Sequence, residues 1–345
     1  MIRLILFILL LSSVPVVAQL GGQTTYGFLN LSGSARVEAM GGNLITVKDN
    51  DAGLALHNPA LLNKEMVSFT SLSFMNYFAG INYGYAGYTF GINDKITANA
   101  SAFYINYGKF VRTDEFGNEI GQFLANDLTI NFSVGYEIDS LWSIGGTARM
   151  INSVYDIYNS FGVAADVAAT YYKPSKNFTA SFVLRNIGMP IKNYVSGQKE
   201  KLPFEIQAGV SKKLEHAPFR FSLIGENLHR WDLSVKDVNA KPRKDPLTGE
   251  FIEEKEAGFL QKTALHLVFN TELLISKNFH VRMGYNYRRR YEMKLDTRPG
   301  TVGLSWGFGF RINKFHLSYG RAAYHLTGGT NLITVSTRLT SFQKN

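Results

Sequence analysis

From Val67 onward the chain alternates large apolar residues with small or polar ones at a period of two, the spacing of a strand with two unlike faces. The clearest run is Val302, Leu304, Trp306, Phe308, Phe310 and Ile312, interleaved with Gly303, Ser305, Gly307, Gly309 and Arg311. Similar runs occur at Leu128–Tyr136, Trp142–Met150, Phe161–Val167, Phe178–Leu184 and Phe279–Tyr285. Strand starts are predicted near Met66, Gly80, Lys95, Asp127, Leu141, Ser160, Lys176, Pro203, Ala217, Leu260, Lys277, Gly300, Lys314 and Thr330. That is roughly fourteen strands, each near the ~9–11 residues that a tilted membrane strand needs. In a membrane barrel the apolar face points at lipid and the small or polar face lines the lumen.

The connections sort by parity. Those after even-numbered strands are short, as at Asn93-Asp94, Asp139-Ser140, Glu215-His216 and Asn313. The long ones, at 108–126, 187–202, 229–259 and 288–299, all follow odd-numbered strands. Short turns on one rim and long loops on the other are the outer-membrane pattern, with the short turns periplasmic. A soluble sandwich has no reason to sort its loops this way. The expected fold is therefore all-β, a transmembrane antiparallel barrel with an N-terminal plug containing short helices.

Residues 19–65 do not alternate and supply the plug. Ser34-Ala35-Arg36 to Gly41-Gly42 reads as a helical turn stopped by glycine. Asn58-Pro59-Ala60 reads as a capped helix start, with Asn at N-cap and Pro at N1. A barrel of about eight strands fills itself with side chains, whereas a larger one leaves a lumen, so this segment is expected to occupy it from the periplasmic side. Residues 1–18 have the charge, apolar core and small-residue end of a cleavable signal peptide. The expected organisation is signal 1–18, plug 19–65, barrel 66–342 and a tail at 343–345.

Composition adds limits. The chain of 345 residues has 32 Gly, 18 Tyr, 25 Phe and no Cys, which excludes disulfides, thiolate metal sites and thiol nucleophiles. The formal charge of +9 is scattered among acids, so no nucleic-acid partner is expected, and acidic lipid head groups or an acidic partner fit better. No cofactor and no catalytic or metal-binding residue is expected. His316 and Ser318 share one strand face, as a serine esterase would need, but that face is the lumen. His266, His280 and His316 read as lumen lining rather than a metal set. Inward charges suggest two cross-strand ion pairs, Arg149 with Asp166 and Arg185 with Glu205, because a buried charge is costly unless paired. Arg288, Arg289, Arg290 and Arg298 form a basic loop suited to an acidic partner or a lipopolysaccharide head group.

The residues Gln19–Gln23, Tyr26–Leu31, Ser34-Ala35-Arg36, Gly41–Leu44 and Asn58-Pro59-Ala60, with Arg185–Gly188, carry a resemblance. The sequence resembles the outer-membrane barrels related to the FadL fatty-acid transporters. Within them it is similar to the PorQ-type (PorV/FadL-like) barrels of the type IX secretion system. That resemblance implies a non-enzymatic member of the attachment complex, placed in the outer membrane of a Gram-negative bacterium among lipid and lipopolysaccharide. It would hold a PorZ-like surface protein near a sortase and a PorV-type barrel, for processing and lipopolysaccharide attachment of secreted cargo. The alternative it allows is a FadL-like transporter or channel for small hydrophobic ligands. One departure is the C-terminus, where the last aromatic, Phe342, is followed by Gln343-Lys344-Asn345.

Overall fold

The computed structural model describes residues 24–77, 80–197, 200–234, 243–244, 251–252, 257–294, 300–325 and 328–342. The expected signal peptide and C-terminal tail lie outside these residues. Fourteen strands form one closed barrel. They are β1 Phe69–Asn76, β2 Asn82–Gly91, β3 Ile96–Thr113, β4 Glu119–Glu137, β5 Trp142–Tyr155, β6 Tyr158–Lys173 and β7 Phe178–Lys192. They continue as β8 Glu205–Lys213, β9 Phe219–Gly225, β10 Leu267–Leu273, β11 Phe279–Asn286, β12 Leu304–Ile312, β13 Phe315–His325 and β14 Gly328–Arg338. Every pairing is antiparallel between chain neighbours, and β14 closes on β1 from Phe69↔Arg338 to Asn76↔Asn331. A two-residue ladder, Arg243–Lys244 with Phe251–Ile252, lies in the longest connection.

The alternation reads the wall correctly. Leu304, Trp306, Ile130, Phe132, Ile144 and Met150 point outward, while Ser305, Asn131, Ser133, Ser143 and Thr147 are buried inside. Val302, expected on the outer face, is instead buried, because β12 starts two residues later. Two strand starts are also displaced. Residues 259–264 form helix α2, Phe259–Ala264, so β10 starts at Leu267 rather than near Leu260. The loop expected at 108–126 is largely ladder, with Lys109 to Arg112 paired to Gly121 to Leu124.

The lumen is filled by residues 24–66. Helix α1, Ala35–Ala39, lies against β12, β13 and β14. It ends in a Schellman-type turn in which Gly42 N–H donates to the Val37 carbonyl at 3.0 Å, with Gly41 and Gly42 at φ of 76° and 88°. The Ala35 backbone sits so close to Gly320 that a β-carbon there would lie 2.2 Å from its carbonyl oxygen. The segment is expected to fill the lumen from the periplasmic side, but its described course begins at the other rim. Its first described residues sit by the long-loop rim, where Thr25 N–H donates to the Lys201 carbonyl at 2.9 Å. It then reaches the short-turn rim at Asp49–Asp51 before joining β1.

Candidate functional site

The wall holds the plug in two ways. On the β4–β6 side it does so by close approach. Asn58 Oδ1 caps the Pro59–Leu61 turn by accepting from Ala60 N–H at 2.9 Å, while its amide donates to the Ile45 carbonyl at 2.7 Å and to Thr170 at 3.1 Å. Ser143 Oγ donates to the Ala60 carbonyl at 2.7 Å. The inward glycines of β4 and β5 make room. A β-carbon on Gly145 would lie 2.4 Å from Pro59 and 2.5 Å from Ala60. His57 is buried beside this contact, and burial pushes its pKa well below the ordinary imidazole value, with Arg185 and Arg149 adding repulsion.

On the β9–β11 side close approach recurs, since a β-carbon on Gly284 would lie 2.2 Å from Gly41 N, and charge is added to it. Glu272 lies directly opposite Arg220 of β9 and Arg282 of β11. Arg36 of the plug inserts between them. Its guanidinium is bidentate to Glu272, both bonds 2.9 Å, and meets Asp49 at 2.8 and 3.0 Å and Asp51 at 3.2 Å. Arg220 reaches Glu272 at 2.7 Å and Asp49 at 3.4 Å, and Arg282 reaches Glu272 at 3.1 Å. Three arginines thus face three carboxylates, with Glu272 wholly buried. Burial alone would lower the pKa of Arg36, but Asp49, Glu272 and Asp51 outweigh it and hold it well above the usual value. Burial would raise that of Asp49, but Arg36 overrides this and holds it low. Arg36 stood out in the sequence as part of the plug motif, but Glu272, Arg220 and Arg282 did not. The signal that could have found them is parity, since Arg282 and Glu272 fall on inward positions of adjacent strands.

Arg149 Nη2 donates to Asp166 at 2.6 Å, both groups being buried. Arg185 and Glu205 are cross-strand neighbours but do not pair. A bulge is the reason. Asp166 faces both Arg185 and Asn186, Asn186 takes φ 56°, and Arg185 turns to the Leu29 carbonyl at 3.2 Å while Glu205 accepts from Asn227 N–H at 3.3 Å. The arginine run does not make an open basic rim. It forms helix α3, Tyr287–Met293, capped by Asn286. Arg289 reaches back over the glycine turn to the Gly41 carbonyl at 3.3 Å and stacks on Tyr324 at 3.9 Å. Arg288 approaches Glu226 at 3.8 Å, Arg290 binds the Gly300 carbonyl, and Arg298 lies outside the described residues. Ser318 accepts from Arg282 at 3.1 Å and His316 packs edge-on against Phe69, both inside the wall. His266 is at the opposite rim, bonded to the Glu226 and Trp231 carbonyls.

Two further features concern what could pass. Tyr26, Phe28 and Leu29 of the plug pack with Tyr83, Phe103, Ile105, Ile151 and Leu202 into an aromatic-rich cluster in the long-loop half of the lumen. Beside it the wall has a seam. β7 pairs with β6 as far as Lys192 but with β8 only as far as Arg185, so Ile187 to Lys192 are laddered on one side only.

No family model matches the sequence, and no curated protein matches it. Solved structures do. A toluene transporter of Ralstonia pickettii, TbuX, superposes with a TM-score of 0.51 at 11% identity, covering 90% of this chain and 99% of that one. The Pseudomonas putida toluene transporter TodX gives 0.50 at 10% identity, covering 89% and 97%. A Pseudomonas aeruginosa FadL homologue gives 0.50 at 10%, covering 88% and 98%. At these identities the likeness concerns fold, and the fold of this chain is that of the FadL-type outer-membrane β-barrels.

Proposed function

We propose that this protein is a non-enzymatic outer-membrane channel of a Gram-negative cell, passing small hydrophobic ligands. The observation that carries this reading is the aromatic-rich cluster around Tyr26, Phe28 and Leu29, placed next to the seam where β7 loses β8. An apolar solute gains by leaving water for such a surface, at about 25 cal/mol per Å² buried. A wall laddered on one side gives that solute a lateral route between lumen and lipid. The cluster is closed by the plug tip, so passage requires Tyr26–Leu29 to shift. The structural neighbours that carry toluene support the same direction.

A second reading is a scaffold in the type IX attachment complex, holding a PorZ-like surface protein beside a sortase and a PorV-type barrel. It is favoured by the ion cluster that ties Arg36 to the wall, and by apolar side chains exposed on the long-loop rim, Trp231, Phe259 and Leu260. A deletion strain separates the two. Slower uptake of a labelled monoaromatic hydrocarbon or fatty acid, with surface-anchored proteins retained, supports the channel. Loss of anchored proteins with uptake intact overturns it in favour of the scaffold.

A further inference from the structure

We infer that the hollow at the short-turn rim is an oxyanion site, taking a carboxylate or phosphate group from the solution on that side. The hollow has a volume of about 260 Å³ between the plug turn Asp49–Asp51 and the ends of β9 to β14. One water takes about 30 Å³ of liquid, so a small oxyanion fits with several waters. Arg36, Arg220, Lys277, Arg282 and Arg311 line it, against Asp49 and Asp51. It adjoins a second hollow of about 300 Å³, shared at Asn50, Arg311 and His316, which adds Lys314 and Arg338 and no acid.

The acids are already committed. Asp49 and Asp51 are bonded to Arg36, Asp49 also to Arg220, and Glu272 is sealed beneath them. The cations are not all committed. Among the described residues Lys277 has no ion pair, and there Arg311 donates only to the Asn313 carbonyl, at 3.4 Å. Both are exposed at the mouth. Charges of one sign in a concave site with low-dielectric walls focus their field into it. A guanidinium and an ammonium together suit a planar carboxylate or a phosphate. A solvated basic surface would spread these groups, whereas here they converge on one concavity beside the ion cluster that anchors the plug. The inference concerns binding alone and stands apart from the transport reading.

The test is calorimetric titration of the purified full-length barrel in detergent with inorganic phosphate and, separately, with hexanoate. Sodium chloride holds the ionic strength constant. Saturable binding of either anion is expected, and which one binds identifies the group taken. The double substitution Lys277→Glu, Arg311→Glu is expected to weaken it at least about tenfold. The milder Lys277→Ala, Arg311→Ala pair should give an intermediate loss, and covers the case in which charge reversal prevents folding. Absence of saturable binding by both anions, or equal binding by the unsubstituted and doubly substituted proteins, overturns the site.

Discussion

The two sides of the barrel hold the same plug by different mixtures of shape and charge. β3 to β7 run to 14–19 residues, while β8 to β11 run to only 7–9. At about 3.4 Å per residue and a tilt near 40°, a 7-residue strand rises about 18 Å, less than the ~25 Å apolar band of such barrels. The tall side has backbone in excess. It meets the plug mainly through inward glycines and the Asn58 turn, where shape decides the fit, with the ion pair of Lys48 and Glu137 at 2.8 Å beside them. The low side has little height; Gly284 of β11 also meets the plug closely, at Gly41 and Met40, but here the buried cluster of Arg36, Glu272, Arg220 and Arg282 adds charge to fit. Its rim is then completed by loops and the short helices α2 and α3. A contact of shape tolerates any movement that keeps its surfaces apart. A buried charge cluster permits release only if its charges find other partners.

The largest effect should come from Glu272→Gln. It leaves three guanidiniums around a neutral amide, and breaking a buried ionic set in this way typically costs about 3–5 kcal/mol. Thermal unfolding in detergent measures it, and an unchanged midpoint would mean that fit alone holds the plug. Gly145→Val should cost less, about 1–3 kcal/mol for overpacking, but should act locally. The Pro59–Ala60 turn must back away, so residues 49–66 should become more open to limited proteolysis while the strands stay protected. An unaltered digest would show that the tall side holds the plug less tightly than its close contacts indicate.

The smallest expected effect is on pH dependence. The pKa values of His57 and Asp49 are both lower in the folded protein, so the unfolded chain binds more protons in the affected range. Stability from His57 is present above its unfolded value of 6.5 and is lost as the pH falls from there towards its folded value. A second loss, from Asp49, follows below 3.8. Melting temperature should therefore decline as the pH drops below 6.5, and His57→Gln should flatten that first slope. If the substituted protein keeps the same slope, the histidine is not its source.

Much of this was legible in the chain because a membrane wall writes a strict rule into it: alternate residues face lipid. Strand starts at Lys95, Leu141, Lys314 and Thr330 lie within two residues of those observed. The glycine stop after α1 and the Asn58 cap follow from backbone chemistry that needs no tertiary context. What failed to show depends on it. Helix α2 replaces an expected strand start because Phe259–Ala264 belongs to the rim loop. The Arg185–Glu205 pair was lost to a bulge that buries Arg185 and Asn186 in succession and moves the outward set from Phe182 to Ile187, Met189 and Ile191. The Arg36 cluster stayed hidden because its members are distant in sequence, with 236 residues separating Arg36 from Glu272. Reading wall and plug as separate objects leaves such a contact unseen.

The strand that closes the ring also carries part of the seat for α1. Ala35 N–H donates to Thr334 at 2.8 Å, and Thr330 Oγ1 donates to Glu38 at 2.9 Å, both threonines lying on β14. The plug precedes β1 in the chain and β14 comes last. The N-terminal segment therefore cannot be fully seated until the last strand has joined the sheet. Zipping β14 onto β1 completes the circle and fastens the helix in a single step. An insertion intermediate lacking β14 would leave Glu38 without the Thr330 hydroxyl and α1 without its N-terminal acceptor. Quality control of the barrel and of its contents would then amount to one checkpoint.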